Sequence, residues 1–251
     1  MSYALITGGA TGLGRGFSNA LSDLGYNLII TSRNYNNLIT AKKEIELKYS
    51  NKVQIFVADL TDENARKNLF EYTNFYNVEI IINNAGVGYS ENFYLGEKEK
   101  EETIIDLNIT ASHFIFKHYY NKFVKQQTGR IINVSSISSF IPTPNSATYS
   151  ASKAYLTSLT LAVAEEAKEH NVVVQVLAPG SIKTDFYKTA GTKEKKYKGN
   201  PNKIARLAVE STKKLILPGL KTKIYYLLFK FMPRSLMTKL SGKRQKNKKE
   251  D

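Results

Sequence analysis

The sequence predicts an α/β fold in which a doubly wound parallel sheet carries helices on both faces and is followed by a helical C-terminal extension. Short apolar runs rich in β-branched residues alternate with longer segments of helical periodicity, which is the pattern of repeated strand–helix–strand units. The apolar runs are largely uncharged, as expected of strands buried on both faces. A length of 251 residues suits one α/β domain with a single buried sheet.

Each predicted element corresponds to one of these segments. In chain order the predicted strands are Tyr3–Thr7, Asn27–Thr31, Val53–Ala58, Ile80–Asn83, Arg130–Val134 and Val172–Leu177. The predicted helices are Gly14–Leu24, Tyr35–Tyr49, Glu63–Phe75, Lys98–Lys125 and Thr148–His170. A last strand is expected in "KLILPG". After Pro179 the pattern gives way to a lysine-rich segment, "KTAGTKEKKYKGNP", which we interpret as a mobile loop or lid.

The positive charge of the chain is concentrated near its C-terminus. Residues 1–182 carry 16 Lys and Arg against 17 Asp and Glu, whereas residues 183–251 carry 20 against 5, and the whole chain has a net charge of +14. Such a region is compatible with nucleic acid, anionic lipid or an acidic substrate, and equally with a solvated surface. The sequence contains no recognition module for nucleic acid, so we predict no nucleic-acid partner.

Several classes of protein are excluded or disfavoured by what the sequence lacks. The chain has no cysteine, which excludes a disulfide framework and thiolate chemistry. The three histidines, His113, His118 and His170, have no metal-ligand spacing with acidic residues, so we predict no metal site. The N-terminal stretch "MSYALITGG" has no basic region, apolar core or cleavage site, and we therefore expect a cytoplasmic protein.

A glycine-rich turn joins the first strand to the first helix. In "TGGATGLGRG" the glycines permit turn geometries forbidden to other residues and let the backbone approach a pyrophosphate at the helix N-terminus. This strand–turn–helix context predicts a dinucleotide site, with the spacing T-G-x-x-x-G-x-G. The predicted contacts of this loop are Gly8, Thr11, Gly12, Leu13 and Gly14.

The end of the second strand indicates which dinucleotide is bound. NAD sites commonly have an acidic residue there for the ribose 2′-hydroxyl, whereas a 2′-phosphate is better met by arginine. Here "IITSRN" contains no acidic residue, and Ser32 and Arg33 can donate hydrogen bonds to a phosphate. We therefore predict NADP(H). The alternative is a surface arginine that only caps the strand.

A tyrosine and a lysine lie one turn apart near the start of "ATYSASKAYLTSLTLAVAEEA", residues 147–167. Tyr149 and Lys153 share a helical face, and a nearby ammonium lowers a tyrosine pKa by favouring the phenolate. The same spacing also arises by chance, with the tyrosine packed and the lysine in water. The neighbouring motifs favour a functional site over chance spacing. The strand "GRIINVSS" ends at Ser136, thirteen residues before Tyr149, and "IDLNIT" supplies Asn108.

These motifs together resemble those of the short-chain dehydrogenase/reductase family over about the first three-quarters of the chain. The resemblance implies a catalytic tetrad of Asn108, Ser136, Tyr149 and Lys153. Tyr149 would be the general acid or base, and Lys153 would bind the nicotinamide ribose and lower the pKa of Tyr149. Ser136, rather than Ser135, would hold the substrate oxygen. Asn108 would anchor a proton relay through water, or serve as a structural residue of the helix.

Three further segments match the family at the ends of strands. "VADL" resembles its third-strand end, "NNAG" the segment that follows its fourth strand, and "PGSIKT" the segment that follows its sixth. The cofactor contacts implied there are Asp59, Leu60, Asn84, Ala85, Gly86, Pro179, Gly180, Ile182 and Thr184.

The resemblance implies a Rossmann-type dinucleotide-binding and catalytic domain over residues 1–220. We expect an NADP(H)-dependent oxidoreductase that interconverts a small-molecule carbonyl and a secondary alcohol, on a lipophilic substrate. The long helices resemble those that build oligomers in this family, so a homo-oligomer is expected. The alternative is a sensor or scaffold protein that binds NADP(H) without turnover.

Residues 221–251 depart from the family's common ending and predict an amphipathic helical extension. Lys230 and Arg234 project on one face, whereas Ile224 and Leu227 lie largely elsewhere. Pro233 is expected to kink or restart the helix. The apolar run is shorter than the ~20 residues that a bilayer span needs. The helix could lie on a membrane surface, cover a lipophilic pocket or pack against another subunit, and the final "GKRQKNKKED" is expected to be disordered.

Overall fold

The computed structural model describes residues 1–191 and 199–250. The strands are β1 (Ser2–Thr7), β2 (Asn27–Ser32), β3 (Val53–Val57), β4 (Asn77–Asn83), β5 (Arg130–Val134), β6 (Val173–Leu177) and β7 (Leu215–Ile216). The helices are α1 (Gly12–Asp23), α2 (Tyr35–Lys48), α3 (Glu63–Thr73), α4 (Lys98–Ile104), α5 (Ser112–Gln126), α6 (Ala147–Glu166), α7 (Phe186–Thr189), α8 (Pro201–Glu210), α9 (Leu220–Phe231) and α10 (Arg234–Glu250). A π-helical segment, Ile105–Ala111, joins α4 to α5, and 3₁₀ turns form at Ile137–Phe140 and Ala167–His170.

The seven strands form one sheet in the order β3-β2-β1-β4-β5-β6-β7, and every neighbouring pair is parallel. The chain winds outward from β1 in one direction to β3 and then returns to add β4 on the other side of β1. Sheets wound in this way open a crevice at the carboxyl ends of the strands, where the direction of winding changes. The predicted fold class is confirmed.

Helices cover both faces of the sheet and create two separate cores. Alternate residues of β1 show the division, because Ala4 and Ile6 belong to one core and Leu5 to the other. The first core is closed by α1, α2 and α8, with Phe17 fully buried. The second is closed by α3, α5 and α6, with Tyr119 fully buried. Strands buried on both faces explain why the sequence shows continuous apolar runs rather than alternation.

The predicted strands all form, within one or two residues of their expected ends except β4, which begins three residues earlier. Several helical regions differ from prediction. The single long helix expected at Lys98–Lys125 is divided by the π-helical segment. α8 was not predicted from the sequence, although this helix begins with Pro201 directly after Asn200, whose side chain accepts hydrogen bonds from two amides of the first turn. α8 packs against α1, where a Cβ at Gly16 would lie 2.7 Å from the carbonyl oxygen of Pro201.

The predicted lysine-rich loop or lid is described only at its two ends. Residues 192–198 lie outside the described part of the chain. On the near side α7 follows β6, and on the far side Gly199 forms a parallel bridge with Ile182 before α8 begins.

The C-terminal extension consists of α9 and α10, which are separated at Met232 and Pro233. α10 runs to Glu250, so the tail for which we expected disorder is helical. This difference follows from its composition, because lysine, arginine and glutamine all have high helix propensity. Of the helices in the described residues, none is both long and apolar enough to cross a bilayer.

Candidate active site

A cleft of about 910 Å³ lies at the carboxyl edge of the sheet. It is lined by every site residue predicted from the sequence except Asn108. The residues brought together come from the β1–α1 turn, the ends of β2 to β6, and the N-terminal part of α6. Segments as far apart as Gly8 and Thr184 therefore meet in one site, as the doubly wound topology requires.

The β1–α1 turn has the backbone that a bound phosphate needs. Gly8 and Gly12 adopt φ values of +65° and +55°, in the left-handed region that favours glycine. A Cβ at Gly14 would lie 1.9 Å from the Gly8 carbonyl oxygen, so no other residue fits there. No side chain caps α1 and its first turn contains no acidic residue, which leaves its N-terminal dipole available to an anion.

Asn84 supports this turn from the neighbouring strand. Its side-chain Nδ2 donates to the carbonyl oxygen of Thr7 at 2.8 Å, and the Thr7 hydroxyl accepts from the amides of Asn84 and Ala85. Asn83, by contrast, points into the protein and donates to Ser112 and Asn133. The "NNAG" segment therefore joins the turn after β4 to the turn after β1.

The ends of β2 and β3 form a corner of the cleft that holds an arginine paired with an aspartate. The Arg33 guanidinium is largely exposed and lies 3.8 Å from the carboxylate of Asp59. Burial by itself would raise the pKa of Asp59, but hydrogen bonds from Thr61 and the charge of Arg33 bring that pKa below its ordinary value. Ser32 lines the same corner. This donor set suits a phosphate, which would accept hydrogen bonds from Arg33 in place of its contact with Asp59.

The hydroxyls of Tyr149 and Ser136 meet in the cleft. Ser136 ends the stretch after β5 and accepts a hydrogen bond from the Ser138 amide at 3.2 Å. Burial raises the pKa of Tyr149 to about 12, and its hydrogen bond with the Ser136 hydroxyl opposes that rise. The nearby Tyr187 raises the pKa further. Tyr149 is therefore protonated at neutral pH.

Lys153 lies one turn after Tyr149 and is almost completely buried, with 4% of its surface exposed. Its Nζ donates to the carbonyl oxygen of Val134 at 3.0 Å and lies 6.0 Å from the centroid of the Tyr149 ring. Burial lowers the pKa of Lys153 to about 8. The sequence predicted a Tyr149 pKa lowered by Lys153, but the pKa of Tyr149 is raised, because desolvation by burial is the largest influence on it.

Asn108 lies beneath the cleft, in the π-helical segment, and is fully buried. Its Oδ1 accepts from the Val87 amide at 2.9 Å, and its Nδ2 donates to the Val87 carbonyl at 2.8 Å and to the Ser152 hydroxyl at 3.2 Å. It also borders Lys153, since a Cβ at Gly86 would lie 3.0 Å from Asn108 Oδ1 and 3.2 Å from Lys153 Nζ. Asn108 thus fixes the chain that follows β4 against α6.

Ser135 has a separate, structural position. Its hydroxyl donates to the carbonyl oxygen of Lys153 at 2.9 Å and lies 2.6 Å from the Thr157 hydroxyl, so it ties the end of β5 to α6. The choice of Ser136 over Ser135 thus agrees with where the two hydroxyls point.

Arg15 and Phe186 are among the cleft-lining residues that were not predicted from the sequence. Arg15 is held by Asn19 at 3.2 Å and by Glu44 at 2.9 Å, near the predicted phosphate corner. Phe186 packs its ring 5.7 Å from the ring of Tyr149, centroid to centroid. The position of Phe186, two residues after Thr184 in the segment that follows β6, was a signal that could have identified it.

Comparisons with known proteins agree with this arrangement. The family described as short chain dehydrogenase matches residues 2–195. The chain is 30% identical over 217 residues to a 3-oxoacyl-(acyl-carrier-protein) reductase of Aquifex aeolicus, covering 82% of this chain and 88% of that protein. It is 34% identical over 187 residues to a very-long-chain 3-oxoacyl-CoA reductase of Vanderwaltozyma polyspora, covering 70% of this chain but only 54% of that longer protein.

Solved structures share the whole fold at lower identity. A short-chain dehydrogenase from Sphingobium yanoikuyae in complex with NADPH superposes with a TM-score of 0.85 at 23% identity, covering 94% of this chain and 95% of that one. A 7beta-hydroxysteroid dehydrogenase superposes with a TM-score of 0.88 at 23% identity, covering 96% of each chain. At this identity the likeness concerns the fold.

Proposed function

The chain belongs to the short-chain dehydrogenase/reductase family, and on that premise we propose that it is an NADP(H)-dependent oxidoreductase that interconverts a carbonyl group and a secondary alcohol. The observation that carries the proposal is the meeting of the Tyr149 and Ser136 hydroxyls in the cleft, beside the buried Lys153. The glycine turn that suits a pyrophosphate opens into the same cleft. A site for a dinucleotide and a site for proton transfer are thus continuous.

The residues of the cleft suit NADP(H), which supplies or accepts the hydride when it is bound. The N-terminus of α1 and its glycine turn would hold the pyrophosphate. Ser32 and Arg33 would hold the 2′-phosphate, and the absence of an acidic residue directly after β2 favours NADP(H) over NAD(H). The NADPH complex of the Sphingobium yanoikuyae enzyme supports this choice of cofactor.

Tyr149 would transfer the proton. In the reducing direction its hydroxyl donates to the substrate oxygen while the carbonyl carbon is reduced, and in the oxidising direction its phenolate accepts the proton of the alcohol. A pKa of about 12 keeps Tyr149 in the acid form near neutral pH, which favours reduction. The Ser136 hydroxyl, already in contact with that of Tyr149, would hold the substrate oxygen within reach of the proton.

Lys153 and Asn108 would act on either side of this pair. The Lys153 ammonium would hold ribose hydroxyls of the nicotinamide half and stabilise the phenolate when it forms. Asn108 would position the backbone of Val87 at the floor of the cleft and connect it to α6. With its amide engaged by Val87 and Ser152, any part in a proton relay would involve a water at the remaining acceptor capacity of Oδ1.

The substrate would be a lipophilic ketone or 3-oxoacyl compound. The cleft wall beside Tyr149 contains Val87, Tyr89, Phe186 and Tyr187, which offer apolar and aromatic surface. The names of the relatives support this class, since they describe reductases of 3-oxoacyl groups and a 17-beta-hydroxysteroid dehydrogenase type 3 of Mus musculus.

The test is NADPH and NADH consumption across a panel of 3-oxoacyl thioesters, ketosteroids and simple ketones. Tyr149→Phe should reduce kcat by about 10²- to 10⁴-fold, the range expected for removal of a general acid. Tyr155→Phe is the matched control, because Tyr155 lies on the same helix but its hydroxyl contacts His113 outside the cleft. Tight NADPH binding with no turnover on any substrate would instead favour the sensor or scaffold alternative.

We also propose that the protein forms a homo-oligomer. Ile105 and Phe114, in the helical region from α4 to α5, leave 44% and 52% of their surfaces exposed. Apolar surface of this kind marks contact sites when it is contiguous. Sedimentation velocity of the protein and of Phe114→Ser tests this, and a monomer at all concentrations would contradict it.

A further inference from the structure

Helix α9 exposes a stripe of apolar side chains to solvent. Its members are Leu220, Ile224, Leu227, Leu228 and Phe231, and we call them the α9 stripe. Between 46% and 79% of the surface of each is exposed. At 100° per residue they fall within an arc of about 100° on the helix. Such a continuous face differs from the scattered apolar residues that any protein surface carries.

The opposite side of α9 holds the helix against the domain. Thr222 is buried beside Gly180, and the ring of Tyr226 packs edge-on against Phe140 with centroids 4.8 Å apart. α10 is attached to the same region, since the Ser241 hydroxyl donates to the Pro142 carbonyl at 2.9 Å and Met237 is buried. The α9 stripe therefore points away from the fold because its helix is fixed by other residues.

Positive charge flanks the stripe on both sides. By the same helical arithmetic Lys223 and Lys230 lie along one edge and Lys221 along the other. The charge continues beyond the helix, because residues 211–249 contain 12 Lys and Arg and no Asp or Glu. An apolar stripe between cationic edges is the pattern of a helix that lies in the surface of an anionic bilayer.

We propose that the α9 stripe binds the surface of an anionic phospholipid bilayer, with the apolar side chains inserted among the acyl chains and the lysines at the phosphates. A second copy of the chain suits this face poorly. A symmetric contact between two stripes would bring two copies of Lys223 and Lys230 together with no acidic residue of the segment to offset them.

This surface lies directly behind one wall of the cleft. The 3₁₀ turn Ile137–Phe140, against which α9 packs, contributes Ile137 and Ser138 to the cleft lining, and Gly180 lines the cleft beside Thr222. Binding of α9 to a bilayer would place the cleft close to the lipid surface. A lipophilic substrate could then reach Tyr149 without crossing a long aqueous path, although lipid binding itself does not depend on the proposed reaction.

The test is flotation of the full-length protein with vesicles of phosphatidylcholine and with vesicles of phosphatidylcholine mixed with phosphatidylglycerol. The double variant Leu227→Ser/Phe231→Ser removes apolar surface, and Lys223→Gln/Lys230→Gln removes charge. Phe75→Ser is the matched control, because Phe75 is 84% exposed and lies far along the chain, after α3. Thermal unfolding of each variant checks that the fold is retained.

We expect binding to the phosphatidylglycerol vesicles that weakens with salt. The apolar double variant should bind at least tenfold more weakly, and loss of each lysine should weaken binding by roughly a factor of five. Phe75→Ser should bind like the parent protein. No binding to either vesicle, or equal binding by the apolar variant, would overturn the proposal. So would sedimentation showing that the same variant dissociates a dimer, because a second copy would then cover the stripe.

Discussion

The burial of Lys153 should make the free energy of unfolding rise with pH in a defined window. Burial lowers the pKa of this lysine to about 8 in the folded protein, whereas an unfolded lysine titrates near 10.4. Between these two values the unfolded chain binds a proton that the folded chain does not, so stability rises with pH there and is flat below about 8. The full shift corresponds to about 3 kcal/mol, of which about 2 kcal/mol is gained between pH 7 and about pH 9.5.

Urea unfolding at these two pH values measures the gain. Lys153→Met should lack the gain of about 2 kcal/mol that the parent protein shows. Lys117→Met, at an exposed position of α5, should keep it. The result to compare is the change in the free energy of unfolding between the two pH values in the parent protein and in the two variants. The other titrating groups are common to all three proteins, so their contributions cancel. Stability at a single pH is less informative, since methionine leaves the Val134 carbonyl without the hydrogen bond from Lys153. An equal gain in Lys153→Met would refute the reasoning.

Three further predictions concern the cleft. Arg33→Ala should lower kcat/KM with NADPH by about 10- to 100-fold, because a charge-assisted hydrogen bond to the phosphate is lost, and should leave kcat/KM with NADH almost unchanged. Equal losses with both cofactors would argue against a contact between Arg33 and a 2′-phosphate. Asn108→Ala should lower the free energy of unfolding in urea by about 3 kcal/mol, because the Val87 amide and carbonyl both lose their hydrogen-bond partner. An unchanged free energy of unfolding would contradict a positioning role for Asn108. For reduction, kcat/KM should fall as pH rises through about 8, where Lys153 loses its proton. Tyr149, whose pKa is about 12, should cause no change of slope in this range. A kcat/KM that stays constant through about pH 9 would contradict the role given to Lys153.

Local patterns in the sequence were sufficient to predict most of the fold. The turn between β1 and α1 needs glycine at positions where a Cβ would collide or the backbone is left-handed, so its sequence is diagnostic. Strands buried on both faces must be continuously apolar, which separates them from the amphipathic helices. α8 escaped prediction because it follows the lysine-rich segment, although Asn200 and Pro201 mark its start. The tail was expected to be disordered from its charge, yet its residues favour helix.

The residues predicted for the site all line the cleft except Asn108, and they could be selected from the sequence because their spacing within each segment is short. Tyr149 and Lys153 are four residues apart, so they share one face of any helix that contains them. The end of a strand can be located from its apolar run. What these residues do electrostatically was not predictable in the same way. Burial raises the pKa of Tyr149 and lowers that of Lys153, and the degree of burial of both groups depends on α6 packing against β5 and on the segment that follows β6.

By itself the sequence determined the class of fold, the order of its strands and many of the residues that line the cleft, because these depend on periodicity and on steric requirements of the local chain. Only the tertiary structure decided that Asn108 fixes Val87, that Ser135 turns inward while Ser136 meets Tyr149, and that the α9 stripe faces solvent. Each of these depends on contacts between segments that are distant in sequence, and such contacts set burial, hydrogen-bond partners and pKa only when the chain is folded.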